Sequence, residues 1–424
     1  MSEIGYYALR LALVVSAIGS FAAVYAGISR RREWCRVAER AVMLLTLFAT
    51  LAIGALFYAF ATLDFQLGYV AGHVARAMDI EYRIAALWGG QAGSLLLWLW
   101  LLTLFSSGAI LVNRRSHPGL MPWVCATLLV NALFFLVLLN FVSNPFEKLP
   151  PGEVLSDGSG LNPLLEHPAM LIHPLLLYIG MVGFVVPFAF GLAAMLSGQM
   201  GTVWMRTTRR WTLFAWFFLS VGILMGGRWA YEVLGWGGYW AWDPVENASL
   251  MPWLAGTAFL HSVMVQEKRD MLKIWNLLLI GLTYSLCLFG TMLTRSGLVQ
   301  SVHAFAQTPI FATLFLGYVL VTAAVFLGAV LIRRKDLRGA NRLDSMLSRE
   351  AAFLLNNWVF IAILAVVFFG TLFPVFSEVL SGRRMAWGPP FFNSVLTPFA
   401  ILLLLLTGVG PLIAWRRASA KALR

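Results

Sequence analysis

Histidine is scarce in this chain, with six among 424 residues, and two of the six bracket a stretch of unusual composition. That stretch is WGGYWAWDPVENASLMPW, residues 236–253, where four tryptophans and a tyrosine stand beside Asp243, Glu246 and Asn247. Trp229, Trp236, Trp240, Trp242 and Trp253 place five of the chain's 17 tryptophans within 25 residues. His173 precedes the stretch in LIHPLLLYIGMVGF, and His303 follows it in GTMLTRSGLVQSVHAFA. Indole faces stack on flat conjugated ligands. Gly235, Gly237 and Gly238 let the backbone lie close to a large plane above it, which suits a porphyrin. Two imidazoles facing each other across such a plane make a bis-histidine haem site. A plainer account is compatible with this one. Tryptophan collects at membrane interfaces, and Asp243-Pro244-Val245-Glu246 reads as a helix start. Asp243 is then the N-cap, Pro244 the first helical residue and Glu246 the capping-box partner. Each histidine taken singly also reads as an ordinary polar loop residue.

His261 lies deeper, inside the apolar run LAGTAFLHSVMV. It is about 18 Å along a helix from Ser249 at 1.5 Å per residue. An ionisable side chain at that depth is costly and reads as functional: it could ligate a second, intramembrane haem. A neutral imidazole bonded to a neighbouring helix is the alternative. Arg228 and Arg295 sit at outer ends of spans beside the aromatic ledge. They are placed to pair haem propionates bidentately, or else to anchor at the interface by snorkelling. His73, His117 and His167 carry no pattern. Cys35, Cys125 and Cys287 lie far apart, so neither a disulfide framework nor a zinc site is expected.

The elements that must hold these residues are membrane helices. The chain is 60% hydrophobic and 12% charged, more apolar surface than a soluble domain of this length can bury. Eleven runs are long enough to span: 6–29, 41–62, 86–112, 119–142, 174–197, 211–233, 248–266, 274–294, 309–332, 352–375 and 395–415. The expected fold is all-α, a single polytopic membrane domain over 1–424 with about eleven transmembrane helices. No cleavable signal peptide is expected. Alternate loops carry 23 of the 31 Lys and Arg residues, from Arg30, Arg31 and Arg32 to Arg416, Arg417, Lys421 and Arg424. By the positive-inside rule that face is cytoplasmic, the amino terminus is outside and the carboxyl terminus inside. Anionic head groups and insertion therefore account for the net charge of +12, and no nucleic-acid partner is needed. The glycine-, proline- and aromatic-rich loops 63–85, 143–173, 234–247, 295–308 and 376–394 all fall on the other face.

On these residues the chain resembles the tryptophan-rich WWD haem-handling membrane proteins, and within them the CcmF family. The segment 236–253 carries the WWD signature. LWGGQAGSLLLW (87–98), GLNPLLEHPAMLIHPLLLYIG (160–180), RRWTLFAWFFLSVGI (209–223), GTMLTRSGLVQSVHAFA (290–306) and WGPPFFN (387–393) follow in consistent order. The sister branch serving nitrite reductase maturation shares much of this pattern. The resemblance implies a cytochrome c haem lyase of the bacterial inner membrane, active on its periplasmic face. It would take haem b from the chaperone CcmE and join the vinyl groups to the CxxCH thiols of apocytochrome c. CcmH/CcmI-type partners would present the apocytochrome. By position His173 and His303 match the family's external haem ligands. His261 matches the first of two intramembrane ligands to a haem b that helps keep the incoming iron reduced. Trp236, Trp240, Trp242 and Asp243 match the core of the signature.

Three departures stand out. Tyr239 replaces a usual tryptophan, and Leu175 a common proline after His173-Pro174. Family members are also usually longer, so their C-terminal region, with its second intramembrane histidine, is expected to be absent. The second ligand to an inner haem would then be missing with that region, lie on another polypeptide, or be replaced by a residue such as Met264 or Met292. No general acid is assigned; the expected mechanism is proximity, with haem held flat on the ledge, clamped by His173 and His303, and open to thiols from outside. A carrier that binds or exports haem without joining it is the alternative. A transporter built on paired interrupted helices is not indicated.

Overall fold

The computed structural model describes every residue except 154, 202, 236, 302–307, 338–342 and 416–424. Among the described residues the chain is helical, and eleven segments are long and apolar enough to cross a membrane. It divides into two compact units, residues 1–199 with 224–229, and residues 200–223 with 230–424.

The first unit holds α1 (Ser2–Ser29), α2 (Arg32–Thr62), the short α3 (Gly68–Ala71) and α4 (Ile80–Gly89), α5 (Gln91–Asn113), α6 (Met121–Phe141), α7 (Ala169–Gly183) and α8 (Val185–Ser197). α1 packs along α2 and α6. Its buried face is built from Gly5, Ala8, Ala12, Ser16, Gly19, Ala22, Ala23 and Ala26. Small residues matter here because lipid tails supply no hydrophobic drive between helices; close approach and polar bonds must hold them. Ser16 accordingly donates to the Leu129 carbonyl (2.9 Å), and Thr46 and Ser107 share a hydrogen bond of 2.7 Å. The centre of the unit is aromatic: Trp98 is buried, stacks on Phe135 at 5.5 Å and meets the edge of Tyr178.

The loops at the α3 end of the unit are tied to one another. Gly68 N–H donates to the Glu147 carbonyl, Leu149 N–H to Gln66 and Ser159 N–H to Ala71. Asp157 accepts from the backbone N–H groups of Arg76 and Gly158, both at 2.8 Å. These two bonds hold its carboxyl below the usual range. Trp88 donates to the Met170 carbonyl at 3.0 Å, which pins the start of α7 one turn before His173.

The second unit holds most of α9 (Val203–Val233), with α10 (Pro244–Arg269), α11 (Lys273–Ser296), α12 (Ile310–Ile332), α13 (Arg349–Ser381) and α14 (Pro389–Val409). α10 packs on α11 and α13, and α11 on α12. Trp216 donates to Thr257 (2.8 Å) and Trp253 to Ser220 (2.7 Å), joining α9 to α10. α12 and α14 leave Leu320, Val321, Ile332, Leu404 and Leu405 exposed, as lipid-facing helices do.

Several helices outrun the apolar runs that announced them. α2 begins at Arg32 rather than 41, α9 at Val203 rather than 211, and α13 continues to Ser381. The run 86–112 is two helices: α4 ends at Gly89, Gly90 is extended, and α5 starts at Gln91. The run 174–197 belongs to α7 and α8, which meet at Phe184.

Candidate functional site

The helix start read at Asp243 is present. The Asp243 carboxylate accepts from Val245 N–H at 2.9 Å, and Glu246 reaches back to the Asp243 N–H at 3.1 Å, completing a capping box ahead of Pro244. Glu246 also takes the Ala241 N–H at 3.0 Å. Three backbone donors of the ledge thus end on two carboxylates. Asp243 further accepts from the Ser301 hydroxyl at 2.7 Å, which ties α10 to the loop after α11. His303 itself, like Trp236, lies outside the described residues.

Trp242 carries a left-handed backbone, φ 59°. For a bulky residue this costs roughly 1–2 kcal/mol and survives only when its surroundings impose it. The constraints are visible. Its carbonyl accepts from the fully buried Asn247 side chain (3.0 Å), which also donates to Thr371 on α13 (2.9 Å). Its indole N–H donates to Asn393 at 2.8 Å, and its ring stacks on Phe392 at 5.1 Å. Trp240 meets Trp242 edge to face at 5.9 Å. The WGPPFFN segment continues the surface: Trp387 stacks on Phe373 at 3.8 Å and on Phe391 at 4.1 Å. The ledge is therefore built from two sequence segments. Long-range partners such as Asn393 gave no signal in the sequence beyond belonging to a recognised motif.

Tyr239 stacks on Tyr231 at 4.6 Å and is 61% exposed. Gly237 takes φ 70°, open to glycine at no cost. Among the described residues, a methyl group on Gly235, Gly237 or Gly238 would meet nothing within 4 Å.

His173 belongs to the first unit. Its imidazole lies on the α9 backbone at Gly226, where an added Cβ would stand 2.5 Å from Cε1. It meets the Trp229 ring edge to face at 5.6 Å. His167, which had no pattern in the sequence, stacks on the same indole at 6.3 Å, and its Nδ1 accepts the Ala169 N–H (3.2 Å) at the start of α7. The indole N–H groups of Trp229 and Trp240 are buried without a hydrogen-bond partner among the described residues. Arg228 is exposed on α9.

His261 is half-buried on α10. Its Nδ1 lies 3.2 Å from the Asn356 amide on α13, and its ring packs against Phe353 and Phe360. This is the bonded imidazole that the sequence allowed as an alternative to ligation; it leaves Nε2 with no hydrogen bond among the described residues. Met292 is buried on α11, and Met264 is 36% exposed. Arg295 is only 6% exposed, and bonds within its own helix to the Thr291 carbonyl and the Thr294 hydroxyl. Its guanidinium is therefore held inside the unit and does not snorkel to water. Its carbonyl accepts from Thr308 N–H at 3.0 Å, so it brackets the loop that contains His303. Among the described residues there is no cluster of His, Cys, Asp and Glu able to hold a metal ion by itself.

Comparison with known proteins places this arrangement. Residues 88–300 match the family described as cytochrome C assembly protein. The chain is 41% identical over 430 residues to the cytochrome c-type biogenesis protein CcmF of Haemophilus influenzae, covering 100% of this chain and 65% of that protein. It is 40% identical to CcmF of Escherichia coli, with the same two coverages, 100% and 65%. Against the cytochrome c-type biogenesis protein NrfE of Haemophilus influenzae the identity is 35%, over 96% of this chain and 64% of that one. A solved structure, Cytochrome c Heme Lyase CcmF, superposes with a TM-score of 0.82 at 35% identity, over 100% of this chain and 63% of the other. The chain thus spans just under two thirds of the length of these proteins.

Proposed function

This chain belongs to the cytochrome c assembly proteins, in their CcmF-type group, and on that premise we propose that it is a haem lyase component acting at the outer face of the cytoplasmic membrane. Its substrates are haem delivered by a CcmE-type chaperone and an apocytochrome c presented by CcmH/CcmI-type partners. In the reaction each cysteine S–H of the CxxCH motif adds across one vinyl C=C. The sulfur bonds to the carbon next to the ring and the proton ends on the terminal carbon. Nothing leaves and no electrons are exchanged, so the protein's task is to hold the plane and expose its vinyl edge.

The observation that carries this reading is the strained Trp242, locked by Asn247, Asn393 and Phe392 in an aromatic shelf with open glycines beside it. Fold stability alone gives no reason to pay for that backbone. The groups present suit haem. Trp229 and Trp240 offer buried indole N–H donors, and the segment is rich in the aromatic side chains that line apolar ligand sites. His173 and His303 supply imidazoles, with Trp236 and Asp243 completing the signature. Arg228 and Arg295 offer guanidiniums for propionates.

An inner haem b would need His261 with its proton on Nδ1 and Nε2 bare; the Asn356 amide, turned so that its unpaired Oδ1 accepts from Nδ1–H, would hold the ring in that tautomer. Such a group would supply one-electron chemistry to keep substrate iron reduced.

The test is reconstitution of the full chain with haem-loaded chaperone and apocytochrome, followed by denaturation. Haem that stays on the cytochrome supports the lyase. Haem that transfers but washes off under denaturant identifies a carrier instead.

A further inference from the structure

At the opposite end of the first unit from the α3 loops, a cavity of about 940 Å³ opens among the ends of α1, α2 and α8 and the α5–α6 turn. It is lined by seven arginines and a single carboxylate, Glu39, which accepts from the Cys35 thiol (3.6 Å). Arg30, Arg31 and Arg32 occupy the α1–α2 turn. Arg36 and Arg40 follow one and two turns along α2, and Arg114 and Arg115 face them from the end of α5. None of the seven guanidiniums makes an ion pair or hydrogen bond among the described residues. A positive-inside bias accounts for basic residues at this end, but not for their arrangement around one concavity. Arg32, Arg36 and Arg40 repeat at i, i+4 and i+8, the spacing that sets like charges against each other on one helical face. Arg31 and Arg32 stand at the amino end of α2, where the helix dipole is already positive. Arg30 sits in the left-handed region, φ 56°. The like-charge spacing and the charges at the positive helix end are unfavourable alone, and a polyanion in the cavity relieves both.

We infer that this cavity binds a phosphate-bearing polyanion. Guanidinium forks engage phosphate oxygens bidentately. The volume exceeds that of one phosphate group and suits a compound with two. The apolar part of the lining, Ala26, Met43 and Trp123, gives an acyl or ring portion somewhere to lie. Basic pockets between membrane helices hold doubly phosphorylated lipid head groups in this manner; a soluble diphosphate presents the same chemistry.

The full chain in neutral detergent separates the two sources. Cardiolipin and phosphatidylcholine are titrated by native mass spectrometry, and inorganic pyrophosphate by calorimetry. Cardiolipin binding without phosphatidylcholine binding is expected. It should weaken about a hundredfold in Arg31→Gln/Arg36→Gln/Arg114→Gln. It should be nearly unchanged in Arg210→Gln/Arg334→Gln/Lys335→Gln, which removes three charges that do not line the cavity. Pyrophosphate binding with the same sensitivity, and no lipid binding, supports the site and assigns it to a soluble compound. Equal weakening in both triple variants, or no preference of either anion over phosphatidylcholine, overturns the proposal. Should the glutamine variant unfold, Arg36→Gln alone is compared with Arg36→Lys. Weaker binding in Gln than in Lys sustains the site, and no difference rejects it.

Discussion

The imidazole of His173 is seated on Gly226. A methyl group at that glycine would lie 2.5 Å from Cε1, 3.1 Å from Nδ1 and 3.2 Å from Nε2 of the histidine. The α9 backbone therefore fixes where the imidazole of His173 on α7 can point, and only a residue without Cβ allows this contact.

Gly226→Ala separates stability from ligation. Alanine inside a helix gains roughly 0.5–1 kcal/mol over glycine, so the melting temperature should hold or rise. The ring of His173 must shift by several tenths of an ångström or rotate away, and, if it ligates haem as proposed, haem affinity should fall tenfold or more. Equilibrium haem titration and thermal melting on one preparation check both. A variant that binds haem like the parent would show that His173 is not an iron ligand.

The Asp243 carboxylate has two jobs, capping α10 through Val245 N–H and holding Ser301. Loss of an N-cap costs about 1 kcal/mol. Asp243→Ala should lose that and release the loop beyond Ser301, seen as faster proteolysis between 297 and 308. Asp243→Asn keeps an acceptor for the cap and should fall between parent and alanine. Identical cleavage rates in all three would mean that the carboxylate does not organise the loop.

What the sequence made legible follows from what hydropathy measures. It marks residues that cannot stay in water, so the number of spans and their centres emerged from the apolar runs. Several carboxyl-terminal ends emerged as well, at Ser29, Thr62, Ser197, Val233 and Ile332; several starts did not, because backbone hydrogen bonds continue into the interface, and α2 runs through Arg32, Arg36 and Arg40 without a break. The start at Asp243 before Pro244 has a local cause in the capping box. The ledge was legible as composition only. Its support is long-range: Asn393 is 151 residues from Trp242, and Thr371 is 124 from Asn247. No local pattern foretells such pairs. The place of His167 beside Trp229, a residue far along the chain on α9, leaves no local pattern in the sequence.

His261 and Asn356 make a separable pair. If His261 ligates an inner haem b, His261→Ala abolishes the reducible b-type absorption band. Asn356→Leu removes only the contact to Nδ1 and should keep the band. Its midpoint potential should shift by tens of millivolts, since a hydrogen bond at Nδ1 tunes the basicity of Nε2. Redox titration followed by visible absorption reads both. An unchanged band in His261→Ala removes this histidine from the ligand set.

His73 predicts a pH dependence in the loops around α3 and α4. Its Nδ1 bonds the Tyr69 carbonyl at 2.8 Å, its ring lies 4.3 Å from that of Tyr69, and its Nε2 faces Gly90 where α5 begins. Burial pushes its pKa below the ordinary value, with the Tyr69 carbonyl opposing more weakly. The unfolded loop therefore takes up a proton more readily than the folded one. Stability is full above the unfolded value of about 6.5 and declines as pH falls through the lower folded value. Hydrogen exchange of residues 68–90, corrected for intrinsic rates, should quicken between pH 7.5 and 5.5, and His73→Gln should flatten that dependence. Exchange that slows on acidification, or a glutamine variant with the parent's profile, would place the titrating group elsewhere.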